Sequence, residues 1–553
     1  MAERVAKNSR AGWASPEKVN RNLPRLFLAL ALLLGVPFAF LNPPLQAPDE
    51  FAHFFRAYGV SEGQFVAHDL TQVPRSVVAL AHEFPIHLET AHRIHAQDLL
   101  ADLRTPLRES DSTGVPNEGM GMYSFVPYLA SGAAIRLGRL FSAPALALLY
   151  LARLGNGLVY ALLVFIALRL LPDFRVLLFS LALLPTALEQ ANSVSIDAIT
   201  FSIAFLFCAS LLRLAFDPAV ARIGMAEHAA IIVPTCVAAL CKADLILVAL
   251  ALLIPAAKFS SARVRWLSLA CYAAIGLGVA ATWGIVNEHN LKLFELRRLS
   301  MGISLTDNWH FVIEHPVLFA GAVLRTSQFH AFDLLDEFVS NIGWLAASIP
   351  RWVVLSYLAV LAAVAATQTR GTVVRAWQKS ILFAVFVSGA AAVFIMLWGF
   401  CTPAAYVRDS VARGTGHVPE VQGRYFIPFA LPLCLLLSNL WLRLHRAGIV
   451  AICVAVAVLG SGSAWTTIQH TFYGQGAASS YGQEAASSKF EGSLVRKSGA
   501  TSEDQKVYFV QNGSRHWITS AEWITAHGMK WPGDVKTIDA GELDGIPLGA
   551  SLP

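Results

Sequence analysis

Two adjacent carboxylates, an imidazole and a guanidinium fall within eight residues of the chain, in Pro48-Asp49-Glu50-Phe51-Ala52-His53-Phe54-Phe55-Arg56. A helix over 48–58 puts Asp49 and His53 four apart, and Glu50, His53 and Arg56 three apart, on one face. Acid, imidazole and guanidinium together at a membrane surface suit general-base chemistry on a charged, lipid-linked substrate. The same residues also read as a solvated helix start, with Asp49 and Glu50 complementing the dipole of the first turn. The local pattern leaves both readings open.

The element that positions them is an apolar run from Leu23 to Leu41, closed by Asn42-Pro43-Pro44. It is long enough to cross a bilayer, and runs of about 20 apolar residues recur through most of the chain. Hydrophobic residues make up 55% and charged residues 14% of the 553, against roughly 25% charged in soluble domains. The chain therefore reads as a polytopic membrane protein, with the lipid bilayer as its partner and no nucleic acid. All seven cysteines lie in or beside apolar segments, which argues against a disulfide framework or a thiolate zinc site.

Basic residues set the expected topology. Arg4, Lys7, Arg10, Lys18, Arg21 and Arg25 place the N-terminal segment 1–22 in the cytoplasm and the 43–144 loop outside. The long basic region, with no small-residue cleavage site after the apolar run, reads as an anchor rather than a cleavable signal. Arg443 and Arg446 put a late turn inside, so the 402–424 loop and the tail fall outside. The mixed-charge stretch 288–349 is a second external loop. Arg169, Arg175, Arg213 and Arg222 all face inward if 123–140 lies flat on the outer surface and 228–257 goes out and back near Lys242 and Asp244. The result is about eleven crossings. A topology in which 123–140 crosses and 228–257 is a single span also fits the ends, but leaves more arginines outside.

In the preferred topology the polar residues within apolar sequence gather on the outer side. Asp197 sits in a turn between two spans, Arg153 near the outer end of span 145–171, Lys242 at the tip of the short pair, and Gln422-Gly423-Arg424-Tyr425 at the start of a later span. Ionisable groups at membrane depth are costly and commonly mark a substrate path; snorkelling to the headgroups is the alternative for each. The histidines at 68, 82, 87, 92 and 95 invite a metal reading, but the spacing from His87 to His92 does not match a zinc HExxH motif. They read instead as surface residues of amphipathic helices on the outer leaflet. Residues 467–489 read as a flexible linker rich in Gly, Ala and Ser. Beyond them, 490–553 reads as a small external β-rich domain. Its hairpin turns at Asn512-Gly513, and Trp523 and Trp531 supply a core.

Three motifs, 48–58, Ser193-Val194-Ser195-Ile196-Asp197-Ala198 and Val421-Gln422-Gly423-Arg424-Tyr425-Phe426-Ile427-Pro428, resemble a family of bacterial polytopic membrane proteins catalogued as a domain of unknown function. That family looks like a branch of the GT-C glycosyltransferase superfamily, and the resemblance covers residues 20–465. It implies an all-α polytopic GT-C-like domain over 23–466 in the bacterial inner membrane, with the C-terminus extracytoplasmic. It further implies an inverting transferase that moves a sugar from a polyprenyl-phosphate-linked donor to a glycan, lipid or cell-envelope acceptor. In such enzymes an acidic residue or pair after the first span acts as catalytic base or metal ligand, which falls to Asp49 and Glu50. A second acid completes the site, matching Asp197, and a cation holds the donor phosphate, matching Arg424 with Lys242. Arg153 resembles an arginine early in the second span. His53, Arg56, Gln422 and Tyr425 complete the expected substrate-binding set, and Asp49 with Asp197 would hold a divalent cation (Mg or Mn) if one is used. The chain lacks the large soluble C-terminal domain of oligosaccharyltransferases, which argues against a peptide acceptor. Two other classes use the same polar groups: a transporter or flippase of lipid-linked glycans, for which inverted repeats would speak, and a non-catalytic polymer-assembly protein.

Overall fold

A computed structural model describes residues 16–85, 94–117, 119–171, 173–340, 342–367, 372–411, 413–439 and 445–473, with segments between 490 and 546. The chain divides into two units, Met1–Phe472 and Tyr473–Pro553.

The first unit is built on apolar helices. In chain order these begin with α1 (Pro16–Leu41) and the short α2 (Glu50–Ser61). After α3 (Leu129–Leu140) comes the long α4 (Ala145–Leu170). The apolar run after it is split into α5 (Arg175–Ala182) and α6 (Pro185–Ala191), with Pro185 taking the first-turn position where its missing N–H costs nothing. Next come α7 (Asp197–Phe216) and α8 (Met225–Ala239). Then follow α9 (Ala262–Val286), α10 (Ala331–Val339), α11 (Arg351–Ala366), α12 (Ala376–Cys401), α13 (Ile427–Leu435) and α14 (Arg446–Ile468).

Among the described residues six helices are long and apolar enough to cross a membrane: Asn20–Leu41, Ala145–Leu170, Asp197–Phe216, Ala262–Val286, Ala376–Cys401 and Arg446–Tyr473. Shorter apolar helices cover Met225–Ala239, Asp244–Leu253, Arg351–Ala366 and Gly423–Leu435. Against the about eleven crossings read from the sequence, the described residues hold six helices of full length and several short or broken apolar pieces. Helix α7 is the central one, the most buried of the six. The 228–257 run breaks after Ala239, and a 3-10 segment Ala243–Leu253 follows Lys242. Helix α3 has twelve residues, about 18 Å of rise, well short of a hydrocarbon core.

Two departures from the sequence reading concern β structure and helix ends. The 43–144 segment is not purely helical: β1 (Leu70–Pro74) pairs antiparallel with β2 (Ser112–Pro116), with Gln72 opposite Gly114. The last long helix does not stop at 466; it runs to Ile468 and continues as a wider turn over Gln469–Tyr473. The rest of the expected linker, 474–489, lies outside the described residues, as do His87, His92, Asn512, Gly513 and Trp531.

In the second unit β3 (Leu494–Lys497), β4 (Tyr508–Gln511), β5 (Ser514–Trp517) and β6 (Val535–Ile538) form one sheet in the order β5-β4-β3-β6. β4 and β5 make the expected hairpin, Gln511 facing Ser514, and β6 runs parallel to β3. Adjacent residues on a strand face opposite sides, and both sides carry a core. Val495 packs with Val510 and Ile538 on one, Leu494 with Val507 and Ile524 on the other, where Trp523 meets Phe509.

Candidate functional site

The two carboxylates of the 48–56 motif part company at the start of α2. Asp49 takes a left-handed conformation (φ 58°), and the helix begins at Glu50. That turn sends the Glu50 carboxylate into the protein, where it is fully buried against an equally buried Arg153 of α4. The pair is bidentate: Arg153 Nε donates to Glu50 Oε1 at 2.8 Å and Nη2 to Oε2 at 2.5 Å. Glu50 Oε1 also accepts the Val194 backbone N–H at 2.8 Å. The guanidinium donates further to the carbonyls of Ala39 (2.9 Å), Asn42 (2.6 Å) and Pro43 (2.7 Å). One arginine therefore satisfies orphan carbonyls at the end of α1 while tying α1, α2, α4 and the 193–195 turn together.

Beside this strut sits a group that sequence reasoning missed. Glu189 of α6 is buried and accepts from Asn42 Nδ2 at 2.8 Å and Gln190 Nε2 at 2.6 Å. Asn192, three residues on, wedges between α1 and α4: a Cβ on Gly35 would lie 2.6 Å from its Nδ2, and one on Gly157 would lie 2.9 Å from its Cγ. Polar residues inside an apolar run, Glu189-Gln190-Ala191-Asn192-Ser193, were the available signal.

Asp49 itself remains half exposed. It lines a cavity of about 370 Å³ with Phe51, Phe55, Asn117, Phe294 and Arg298. His53, one turn on, is buried, and its Nδ1 lies 2.7 Å from the Tyr128 hydroxyl. Burial pulls the His53 pKa down to about 4, with Asp49 opposing in part, so the ring is neutral at physiological pH. Burial pushes the neighbouring Tyr123 hydroxyl up to about 12. Arg56 meets this group only through the Tyr128 ring, 5.6 Å from its centroid; its hydrogen bonds go to the carbonyls of Gln64 (2.7 Å) and Phe65 (2.8 Å) and hold the loop after α2.

Across from Asp49 and His53 lies the cationic half. Asp197, the first residue of α7, is ion-paired with Lys242, and its Oδ2 is 3.5 Å from Arg424 Nε. The Lys242 ammonium and the Arg424 guanidinium both lie against the Tyr425 ring, 4.9 and 5.2 Å from its centroid. Gly423 makes this placement achievable, because any Cβ there would collide with the Leu334 carbonyl of α10 and lie 2.5 Å from the Phe338 nitrogen. Its own N–H donates to Glu337 Oε2 at 2.7 Å. Arg424 is only 4% exposed, yet its Nε and Nη1 have no hydrogen-bond partner among the described residues. Buried guanidinium N–H groups left unmade are expensive, and their presence here marks a place for an anion. The Gln422 Oε1, two residues before Arg424, is also buried with no hydrogen-bond partner among the described residues.

The structure thus brings Asp49, His53, Asp197, Lys242, Arg424 and Tyr425 within electrostatic reach of one another. Glu50 and Arg153 lie behind them as a support, and Arg56 packs on the Tyr128 ring while bonding the loop after α2. The arrangement can take a proton at Asp49 and hold a negative group at Arg424 and Lys242. The donor set does not suit a divalent cation. Among the described residues no three carboxylate, imidazole or thiol groups converge on one point, and Lys242 and Arg424 already face the Asp197 carboxylate.

A protein-family model described as Predicted membrane protein (DUF2142) matches residues 32–433, a range that contains every member of this cluster. No curated protein and no solved structure matches the chain.

Proposed function

Because the chain belongs to that family of predicted membrane proteins, we propose that it is a membrane glycosyltransferase that takes its sugar from a polyprenyl-phosphate-linked donor. The reading rests above all on the buried Arg424 guanidinium beside the Lys242 ammonium: its Nη1 has no hydrogen-bond partner among the described residues, and its Nε meets the Asp197 carboxylate at a long 3.5 Å. A phosphate carried on a lipid supplies the acceptor oxygens that these donors lack, and a fork-shaped guanidinium recognises it better than a point charge.

In the proposed reaction the Asp49 carboxylate takes the proton from an acceptor hydroxyl in the cavity it lines. The freed oxygen attacks the anomeric carbon as the bond from that carbon to the phosphate oxygen breaks, inverting the sugar. Charge gathers on the departing polyprenyl phosphate, and Arg424 and Lys242 stabilise it in a site from which water is largely excluded. Glu50 and Arg153 take no proton; they hold the backbone on which Asp49 and Val194 stand. Neutral His53 fixes Tyr128 beside Asp49 without adding a competing cation. The Lys- and Arg-rich N-terminal segment puts this end of α1 on the extracytoplasmic face. The acceptor is a glycan, a lipid or an envelope polymer.

A cryo-EM map of the protein in nanodiscs loaded with a polyprenyl phosphate tests the assignment. Phosphate density within hydrogen-bonding distance of Arg424 Nε or Nη1 supports it. Density for the lipid elsewhere, with Arg424 left as it is, removes the donor site.

A further inference from the structure

At the opposite end of α1 from Asp49 lies a second cavity, of about 570 Å³, lined by Arg21, Asn22, Arg25, Phe165, Arg169 and Arg175. Arg25 is separated from Ala39, whose carbonyl Arg153 holds, by fourteen residues of helix, about 21 Å of rise. The two cavities therefore sit near opposite faces of the membrane, and nothing in the proposed reaction uses this one.

Four guanidiniums share the cavity, and Arg446 adds its positive charge at Arg175. Arg21, Arg25 and Arg169 form no ion pair among the described residues. Arg175 is fixed by the carbonyls of Leu171 (2.9 Å) and Asn20 (2.7 Å), and Asp173 is the one carboxylate acting on it. Four guanidiniums around one space, with Asp173 the one carboxylate that acts on Arg175 among the described residues, leave the cavity strongly positive.

Apolar stripes run up to this field. On α1 the exposed face that carries Arg21 and Arg25 continues as Leu26, Leu32, Leu33 and Phe40. On α4 the exposed face Leu158, Leu162 and Ile166 ends at Arg169. A cationic pocket at the end of two lipid-facing helix stripes has the amphiphilic shape of a phospholipid.

We propose that this cavity binds the phosphate headgroup of an anionic membrane lipid, with its acyl chains along the α1 and α4 stripes. By the distribution of basic residues this is the cytoplasmic leaflet, whose anionic lipids attract such clusters. Arg175 anchors the pocket, and Arg21, Arg25 and Arg169 supply the free donors. The stripes select a membrane-anchored phosphate over a soluble one.

The test uses the full chain in detergent and reads thermal unfolding as lipid is added. Phosphatidylglycerol is expected to raise the midpoint; phosphatidylcholine and inorganic phosphate are not. Arg21→Gln/Arg25→Gln/Arg169→Gln should weaken the phosphatidylglycerol effect roughly a hundredfold in half-saturating concentration, a few-fold per charge. The three side chains form no ion pair among the described residues, and Arg169 makes one loose contact, 5.9 Å from the Phe165 ring centroid, so the lipid-free midpoint should hold. The matching triple lysine variant should keep most of the response. Arg222→Gln/Arg263→Gln, which removes exposed charge elsewhere, should leave it intact. An undiminished response in the triple glutamine variant, or an equal loss in the remote control, overturns the site. Stabilisation by inorganic phosphate equal to that by lipid overturns the lipid assignment.

Discussion

Glu50→Gln is expected to destabilise the protein by about 3–5 kcal/mol, the usual result of breaking one side of a fully buried ion pair. Glu50 and Arg153 are both completely enclosed, so water cannot screen the charge left behind. Gln keeps an oxygen for Arg153 Nε and the Val194 N–H, but turns an amide N–H₂ towards Arg153 Nη2, which needs an acceptor. Arg153→Gln should be worse, because it also strips the Ala39 and Asn42 carbonyls of its guanidinium donors, each costing about 1–3 kcal/mol when buried and unmade, and leaves the Pro43 carbonyl to the Gln46 N–H alone. The double variant removes the stranded charge and should be less destabilised than the sum of the singles by at least about 1 kcal/mol. The assay is thermal unfolding in detergent at one fixed scan rate, since membrane proteins commonly unfold irreversibly. Glu50→Gln should lower the midpoint by roughly 5–10 °C. A Glu50→Gln protein with the parental midpoint and no turnover would refute the strut and make Glu50 part of the chemistry.

Gly423→Ala should lower the unfolding midpoint more than a typical exposed Gly→Ala change, because its Cβ meets the Leu334 carbonyl; an unchanged midpoint would show that α10 can retreat. Arg424→Gln should weaken binding of a polyprenyl phosphate by about 10–100-fold, the worth of a charged hydrogen bond, with Arg424→Lys in between; fluorescence titration reads both, and wild-type affinity in Arg424→Gln would remove this residue from the site. His53 makes stability depend on pH. Its pKa is pulled from 6.5 to about 4, so the unfolded chain binds a proton first as pH falls. About 3 kcal/mol should be lost between pH 6.5 and 4 and nothing further from this group below that, and His53→Gln should flatten the slope; the same slope in both proteins would place the titration elsewhere. Topology is read with single cysteines in a cysteine-free background: Asp111→Cys should react with an impermeant thiol reagent in intact cells and Gly224→Cys should not, while the reverse would turn the protein over in the membrane.

Where charge sits along the sequence points to residues that the structure draws together. Asp49, Asp197, Lys242 and Arg424 are far apart in the chain, yet positive-inside counting put them on one face, and the structure gathers them in one cluster. Helical spacing misled within α2. Glu50, His53 and Arg56 do recur every three residues, but their partners lie on three different elements: Arg153, Tyr128 and the Gln64–Phe65 carbonyls. Spacing specifies a face, and long side chains reach round it. The left-handed turn at Asp49, which separates the two carboxylates, has no signature in a residue type that is not glycine. The β1–β2 ladder was hidden because Leu70–Pro74 is short, ends in proline and finds its partner over Ser112–Pro116, a pairing too distant for any turn signal. Glu189 was hidden by the apolar run around it, since hydropathy averages over a single acid.

The claim that this cluster is a transferase site is tested most directly by turnover in proteoliposomes containing synthetic polyprenyl-phosphate sugars and a panel of glycan and lipid acceptors. Release of polyprenyl phosphate with transfer of the sugar is predicted for the wild-type protein, and its loss in Asp49→Asn at an unchanged unfolding midpoint. Full turnover in Asp49→Asn, or movement of intact lipid-linked sugar across the bilayer with no polyprenyl phosphate released, would contradict it.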